Sequence, residues 1–446
     1  MHIKCYFDSV SIHLPPACNT IIHCICSTLF KSQFFALYLK YVCLVSLPPA
    51  AFANTAIMTN TFPVQKTSPI ARLRSVDVLR GAVMLLMAID HVRVYSGVPA
   101  GSPNPSIFFT RWVTHFCVPA FVFLAGTSAF LYKQQLKDPP AISRFLVTRG
   151  FFLVLLELTV IRFFWTFNLH YSQFTLAGVI WMLGWCMVLM AALVKLPVKT
   201  IGIIGVLLVI FQQVFHYIPM IFSKPVQESL SYVWNFFYPT GLDGWDKISI
   251  LYVIIPWIGV MAAGYAFGTI MMMEAAKRRK FCLSIGILFI LLFIIAGSLV
   301  AWFGPAHQND MPFLFRLLGQ QKYPPSQLYL LMTLGPLIAL VPFAEKLRGW
   351  FAEVLTVFGK VPLFYYLLHI LLIHIAGLTV NFLREGNIHQ DWYDTAPYAQ
   401  VPEDHRWGLP LLYLVFVMVE VVLYFACRSY AIYKAAHPEK KWLKYV

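Results

Sequence analysis

Arg74-Ser75-Val76-Asp77-Val78-Leu79-Arg80-Gly81-Ala82-Val83-Met84-Leu85-Leu86-Met87-Ala88-Ile89-Asp90-His91-Val92-Arg93 is the stretch on which the fold turns. From Gly81 to Ile89 it carries no polar side chain, and its charges gather at the two ends. Val76 to Tyr95 is about 20 residues, enough to cross a hydrocarbon layer of about 30 Å as a helix. Comparable stretches follow at Phe109 to Leu131, Phe145 to Trp165, Phe174 to Val194 and Thr200 to Ile218. Five more run from Ile248 to Ile270, Phe281 to Phe303, Gln327 to Phe343, Val361 to Leu383 and Leu409 to Cys427. The expected fold class is an all-α polytopic membrane bundle of about ten transmembrane helices.

Composition agrees. Of 446 residues, 59% are hydrophobic and 12% charged, against about 25% charged in an ordinary soluble domain. Lys+Arg number 34 and Asp+Glu 19, a net charge of +15. So basic a chain first suggests a nucleic-acid partner, but the positions of the charges argue against one. With the first helix entering from the cytoplasm, the inner connections carry Lys133, Lys137, Arg144 and Arg149, then Lys195 and Lys199, then Lys277 to Lys280, then Lys346 and Arg348. The tail adds Arg428, Lys434, Lys440, Lys441 and Lys444. By the positive-inside rule both termini are expected in the cytoplasm. The outer connections are longer and rich in Trp, Tyr, Pro and Gly, as lids and interface anchors are.

The ends of the chain read differently. Residues 1–57 lack helical periodicity and hold five of the nine cysteines, so they read as an extension or a cleaved leader, with Met58 the expected start. Residues 58–71 form a polar leader, 72–434 the membrane domain and 435–446 a basic tail. Cys117, Cys186, Cys282 and Cys427 lie in apolar segments, where free thiols are usually buried and inert.

Ionisable groups inside spans are costly, so each is a functional candidate. Arg80 and His91 are eleven positions apart, which puts them on one helix face about 16 Å apart along the axis, with Asp77 one turn before Arg80. The plainer alternative pairs Asp77 with Arg80 at the inner interface and leaves His91 and Arg93 facing outer water. His115, near the outer end of the second span, has a depth similar to that of His91, so the two are expected to meet. Gly126, Ser128 and Ala129 read as packing residues. Glu157 with Arg162, and Glu420, read as structural pairs within the bundle. His369 and His374, five apart, point to different faces and read as buried, hydrogen-bonded histidines. No metal site is expected, and the chain holds no phosphate-binding loop, dinucleotide fingerprint or nucleophile elbow.

Several of these residues form a recognisable pattern. Arg74-Ser75-Val76-Asp77 with Arg80-Gly81, the Asp90-His91 pair, Val118-Pro119-Ala120-Phe121-Val122-Phe123-Leu124-Ala125-Gly126 and Lys360-Val361-Pro362-Leu363-Phe364-Tyr365-Tyr366-Leu367-Leu368-His369 resemble the heparan-alpha-glucosaminide N-acetyltransferase-like membrane proteins. Arg80 and His91 at this spacing are also similar to the signature of the wider membrane acyltransferases. The chain departs from the lysosomal animal enzyme in having no histidine between Val92 and His115.

The resemblance implies a bundle that takes acetyl-CoA from the cytoplasm and passes the acetyl group to a sugar amine or hydroxyl outside. Its partners would be the lipid bilayer, acyl-CoA, a glycan acceptor and a second copy in a homodimer, in a bacterial-type inner membrane. The expected catalytic residues are His91, His115 and Asp90, with imidazole as general base or acetyl carrier. Arg80, Asp77 and Arg74 are expected to hold the CoA phosphates or polarise the thioester. A secondary transporter for a small anionic or sugar solute is the alternative; it would move solute without releasing CoA.

Overall fold

The computed structural model describes residues 73–101, 103–136, 140–239, 248–304 and 311–445. The leader at 1–57, the polar segment at 58–71 and Lys137 lie outside the described residues.

The central element is α1, Arg74–Ser96, with 15 of its 23 residues buried, Met84, Ala88, Val92 and Tyr95 completely. It ends at Gly97, whose φ of 71° is the left-handed conformation that closes helices. A short helix α2, Pro105–Trp112, leads through a 3-10 turn into α3, Cys117–Gln135. Next, α4, Pro140–Leu156, passes through a π-turn at Glu157–Ile161 into α5, Arg162–Thr166. Then come α6, Val179–Leu193, α7, Val198–Ile210, α8, Val214–Tyr217, and α9, Lys224–Trp234. The second half contains α10, Ile255–Met271, α11, Ala275–Phe303, α12, Phe313–Leu318, α13, Gln327–Lys346, α14, Trp350–Lys360, α15, Pro362–Glu385, and α16, Leu409–Ala436.

Helix occupies part of every stretch singled out above, with three differences. Thr175–Ala177 and Ile248–Ile250, at the start of two of those stretches, form a short parallel β1–β2 ribbon. The fifth stretch bends by 67° between Val198–Ile210 and Val214–Ile221. Amphipathic α9 and α14 add helices in the connections between the expected spans. By length and composition five described helices suffice to cross a membrane, or six if the bent pair is one span; α2 and α3 count together as one of the five.

Glycine lets several helix pairs pack backbone to backbone, as small residues do between membrane helices. Gly126 of α3 lies on Met261 of α10, Gly150 of α4 on Gly184 of α6, and Gly286 of α11 on Ala339 of α13. Many of the basic residues meet at one end of the bundle. There Lys133 donates to the Val194 carbonyl at 2.8 Å and Arg278 pairs with Glu345 at 2.6 Å. The tail from 435 to 445 returns to this end, where Leu443 is buried and the Tyr445 hydroxyl lies 3.1 Å from the Thr148 hydroxyl. At the opposite end the long connections knit together: Tyr393 donates to the Tyr95 carbonyl at 3.1 Å, and Trp407 N–H to the Ser96 carbonyl at 2.9 Å. Cys117, Cys186, Cys282 and Cys427 are all free and buried, as expected.

Candidate active site

Both ends of the site are built on α1. At the basic end, α14 packs antiparallel to it at backbone distance. A Cβ on Gly81 would lie 1.9 Å from the Leu355 carbonyl oxygen, and one on Gly359 would lie 1.9 Å from that of Asp77. This approach brings the Gly359 carbonyl within 3.2 Å of Arg80 Nη1, while Nη2 donates to the Ser128 hydroxyl at 2.7 Å and Asp77 lies 3.6 Å away. Ser128 is therefore a partner of Arg80 and not only a packing residue.

Asp77, Arg80 and Ser128 line a cavity of about 380 Å³, within the range of small-molecule sites. Tyr132, Gln135 and Arg149 also line it, and further in its walls are apolar, with Phe121, Leu153, Ile180, Leu183 and Met187. Arg74, the first residue of α1, does not line it. A basic mouth and an apolar interior suit a ligand with an anionic head and a slender, weakly polar arm.

The cavity wall includes Tyr366 of α15, and Tyr366 joins the two ends of the site. Its ring stands edge-on to both His91, at 6.5 Å, and His369, at 5.2 Å. His91 Nδ1 lies 2.7 Å from His369 Nε2, and the two rings lie side by side, 19° from parallel, with centroids 4.8 Å apart. Trp165 packs edge-on against His91 at 4.8 Å. The partner of His91 is thus His369, with α1 and α15 supplying one imidazole each.

His115 does not meet His91 by a hydrogen bond. Its Nδ1 is 3.2 Å from the Arg111 carbonyl on its own helical turn, and its ring leans on Tyr329 at 5.6 Å. Asp90 is paired with Arg93 at 2.9 Å. What Asp90, His91 and His115 share is the charge of Lys322, a residue only 9% exposed in the connection between α12 and α13. Burial disfavours the Lys322 ammonium, but Tyr323 and Asp90 more than offset this and raise its pKa above the ordinary value. The Lys322 ammonium also stands 5.2 Å over the Tyr323 ring.

Sequence reasoning missed Lys322, Tyr366 and Trp165, and it set His369 aside as a structural histidine. Aromatic residues in the spans and basic residues in the connections are shared by too many positions to single these out. The expected Glu157–Arg162 pair is corrected by the structure. Glu157, on the π-turn, accepts the Ile180 and Trp181 N–H groups at 3.0 and 3.2 Å and so caps α6, while Arg162 donates to the Phe174 and Asn168 carbonyls. Glu420 bonds the Tyr365 hydroxyl, and His374 bonds the Phe164 carbonyl at 2.9 Å. Among the described residues no group of three or more His, Cys, Asp and Glu side chains is placed to hold a metal ion.

An integral membrane bundle with imidazoles abutting a cation-mouthed cavity has the elements of a group-transfer enzyme. The profile of the family described as heparan-alpha-glucosaminide N-acetyltransferase, catalytic, matches residues 72–308, and the chain belongs to this family. No curated protein shows significant similarity to the chain. The protein is accordingly a multi-pass membrane acetyltransferase of that family.

Proposed function

We propose that this protein takes acetyl-CoA from the cytoplasmic side and transfers its acetyl group to an amine or hydroxyl of a sugar or glycan on the far side of a bacterial-type plasma membrane. In this reading residues 72–434 form one domain of ten spans with both termini cytoplasmic. The observation that carries it is the cavity lined by Arg80 and Asp77, which reaches Tyr366 and so comes up against the His91–His369 pair.

The family match supports acetyl transfer, and the chemistry of the lining supports a CoA thioester as donor. Arg80 and Arg149, with Arg74 adding charge nearby, attract the phosphates. The apolar interior takes the pantetheine arm. The acceptor N–H or O–H gives its proton to His91 Nε2 while its heteroatom bonds to the thioester carbonyl carbon. The C–S bond then breaks and the thiolate takes that proton, leaving CoA and the acetylated acceptor. In the two-step route Nε2 first takes the acetyl group, the imidazole's own proton leaves with the CoA thiol, and the acceptor then takes the acetyl group as its own proton returns to the imidazole. Asp90, His115 and Lys322 belong to the acceptor side, where the Asp90 and Lys322 charges and the His115 ring orient the incoming sugar.

The test is incubation of purified protein with radiolabelled acetyl-CoA and glucosamine. Release of CoA with labelled sugar supports the proposal, and labelled protein formed before acceptor is added marks the two-step route. Full transfer by properly inserted His91→Ala and His115→Ala variants would sink the assignment of residues. Solute uptake without CoA release would sink the enzyme reading itself.

A further inference from the structure

The bonds made by His369 decide which nitrogen of His91 is free. His369 Nδ1 lies 3.1 Å from the carbonyl oxygen of Tyr365, four residues earlier on α15. A carbonyl oxygen only accepts, so in the neutral ring the N–H sits on Nδ1 and Nε2 is a lone pair. That lone pair faces His91 Nδ1 at 2.7 Å, so with both rings neutral His91 must carry its proton on Nδ1 and donate it. Nε2 of His91 is left unprotonated, and no described residue hydrogen-bonds it.

We infer that His369 is the positioning residue of His91: it holds the imidazole in the tautomer and orientation that present a lone pair at Nε2 to the reacting group. This rests on the reading of His91 given above and extends it to a residue outside the matched stretch at 72–308.

The surroundings restrict both rings. His369 is 0% exposed, stacks on Tyr365 at 5.3 Å and meets Tyr366 edge-on, while His91 is held between His369 and Trp165. Tyr365 is itself anchored, with its hydroxyl bonded to the Met84 carbonyl on α1 at 3.1 Å and to Glu420 on α16. The chemistry also explains why the orienting group is an imidazole. Acid–base triads orient their histidine with a buried carboxylate, but inside a membrane bundle an anion has a high desolvation cost, and a neutral imidazole nitrogen accepts the same N–H without it.

The experiment compares four full-length variants with the unaltered protein, purified in detergent and assayed with radiolabelled acetyl-CoA and saturating glucosamine. His91→Ala tests the underlying reading, and its retention of full transfer would overturn that reading and this inference with it. His369→Ala is expected to lower kcat by about ten- to a hundredfold, a fraction of what general acid–base catalysis supplies, with the KM for acetyl-CoA unchanged. His369→Gln puts an amide oxygen near the place of Nε2 and is expected to recover most of that loss; His369→Leu, of similar bulk but with no acceptor, is not. The Gln and Leu variants keep the test decisive if the alanine variant fails to fold. Equal activity of the Gln and Leu variants while His91→Ala is inactive would overturn the positioning role, as would a loss seen only as a raised KM.

Discussion

The two ends of α1 carry similar residues and use them differently. At the basic end Arg80 is held by Asp77, Ser128 and the Gly359 carbonyl among its partners, yet it still lines a cavity. At the far end His91 has one hydrogen-bond partner among the described residues, His369, and its second nitrogen makes none with any of them. A guanidinium held by several acceptors keeps its charge and its position, as an anion-binding group must. An imidazole with one nitrogen held and the other open is arranged to exchange a proton or a group. The difference teaches that a satisfied charge and an unsatisfied nitrogen on one helix mark binding and chemistry respectively.

The comparison breaks most severely if the histidine end is altered. His91→Ala is expected to lower the rate of acetyl transfer by about 10²–10⁴-fold, the usual contribution of a positioned acid–base group, while equilibrium binding of acetyl-CoA, measured by calorimetry, stays near that of the unaltered protein. Next in size is the seam between α1 and α14. Gly359→Val drives a side chain into the Asp77 carbonyl and is expected to cost at least about 1–3 kcal/mol, the range for overpacking. Thermal unfolding in detergent checks this, and an unchanged midpoint would show that the seam yields.

Arg80→Met is expected to raise the KM for acetyl-CoA by about tenfold, or roughly 1.4 kcal/mol, with a smaller change in kcat. A fall in kcat with no change in KM would move Arg80 from binding to chemistry and erase the distinction between the two ends. The smallest effect belongs to Lys322. Lys322→Met is expected to raise the KM for the acceptor a few fold, a change of about 1 kcal/mol, and to leave the KM for acetyl-CoA alone. Steady-state kinetics with each substrate varied in turn separates the two, and an effect on acetyl-CoA instead would place Lys322 with the donor.

Much of the bundle was legible because apolar length is a local property. Each stretch long enough to cross the hydrocarbon holds a helix, and the Asp77–Arg80 pair follows from three-residue spacing on one helix. The misreadings came where neighbours decide. Thr175–Ala177 and Ile248–Ile250 are apolar enough to extend a helix, yet they pair as strands because each finds the other at the end of the bundle. Trp350–Lys360 reads as a connection and is a helix because Gly81 and Gly359 let it dock on α1. His115, placed beside His91 by depth alone, turns instead to its own helical turn. Depth along an axis says nothing of which way a helix is rotated.

By itself the sequence determined that this chain is a membrane bundle, which of its ends is basic, and that α1 carries an acid, a base and an imidazole on one face. Those properties follow from hydrophobic length, charge position and helical period, which are short-range. Only the tertiary structure decided that His91 answers to His369, 278 residues away, and that the basic mouth and the imidazoles share one wall through Tyr366. Those depend on which helix faces meet, and that is set by packing of the whole bundle around its glycine contacts.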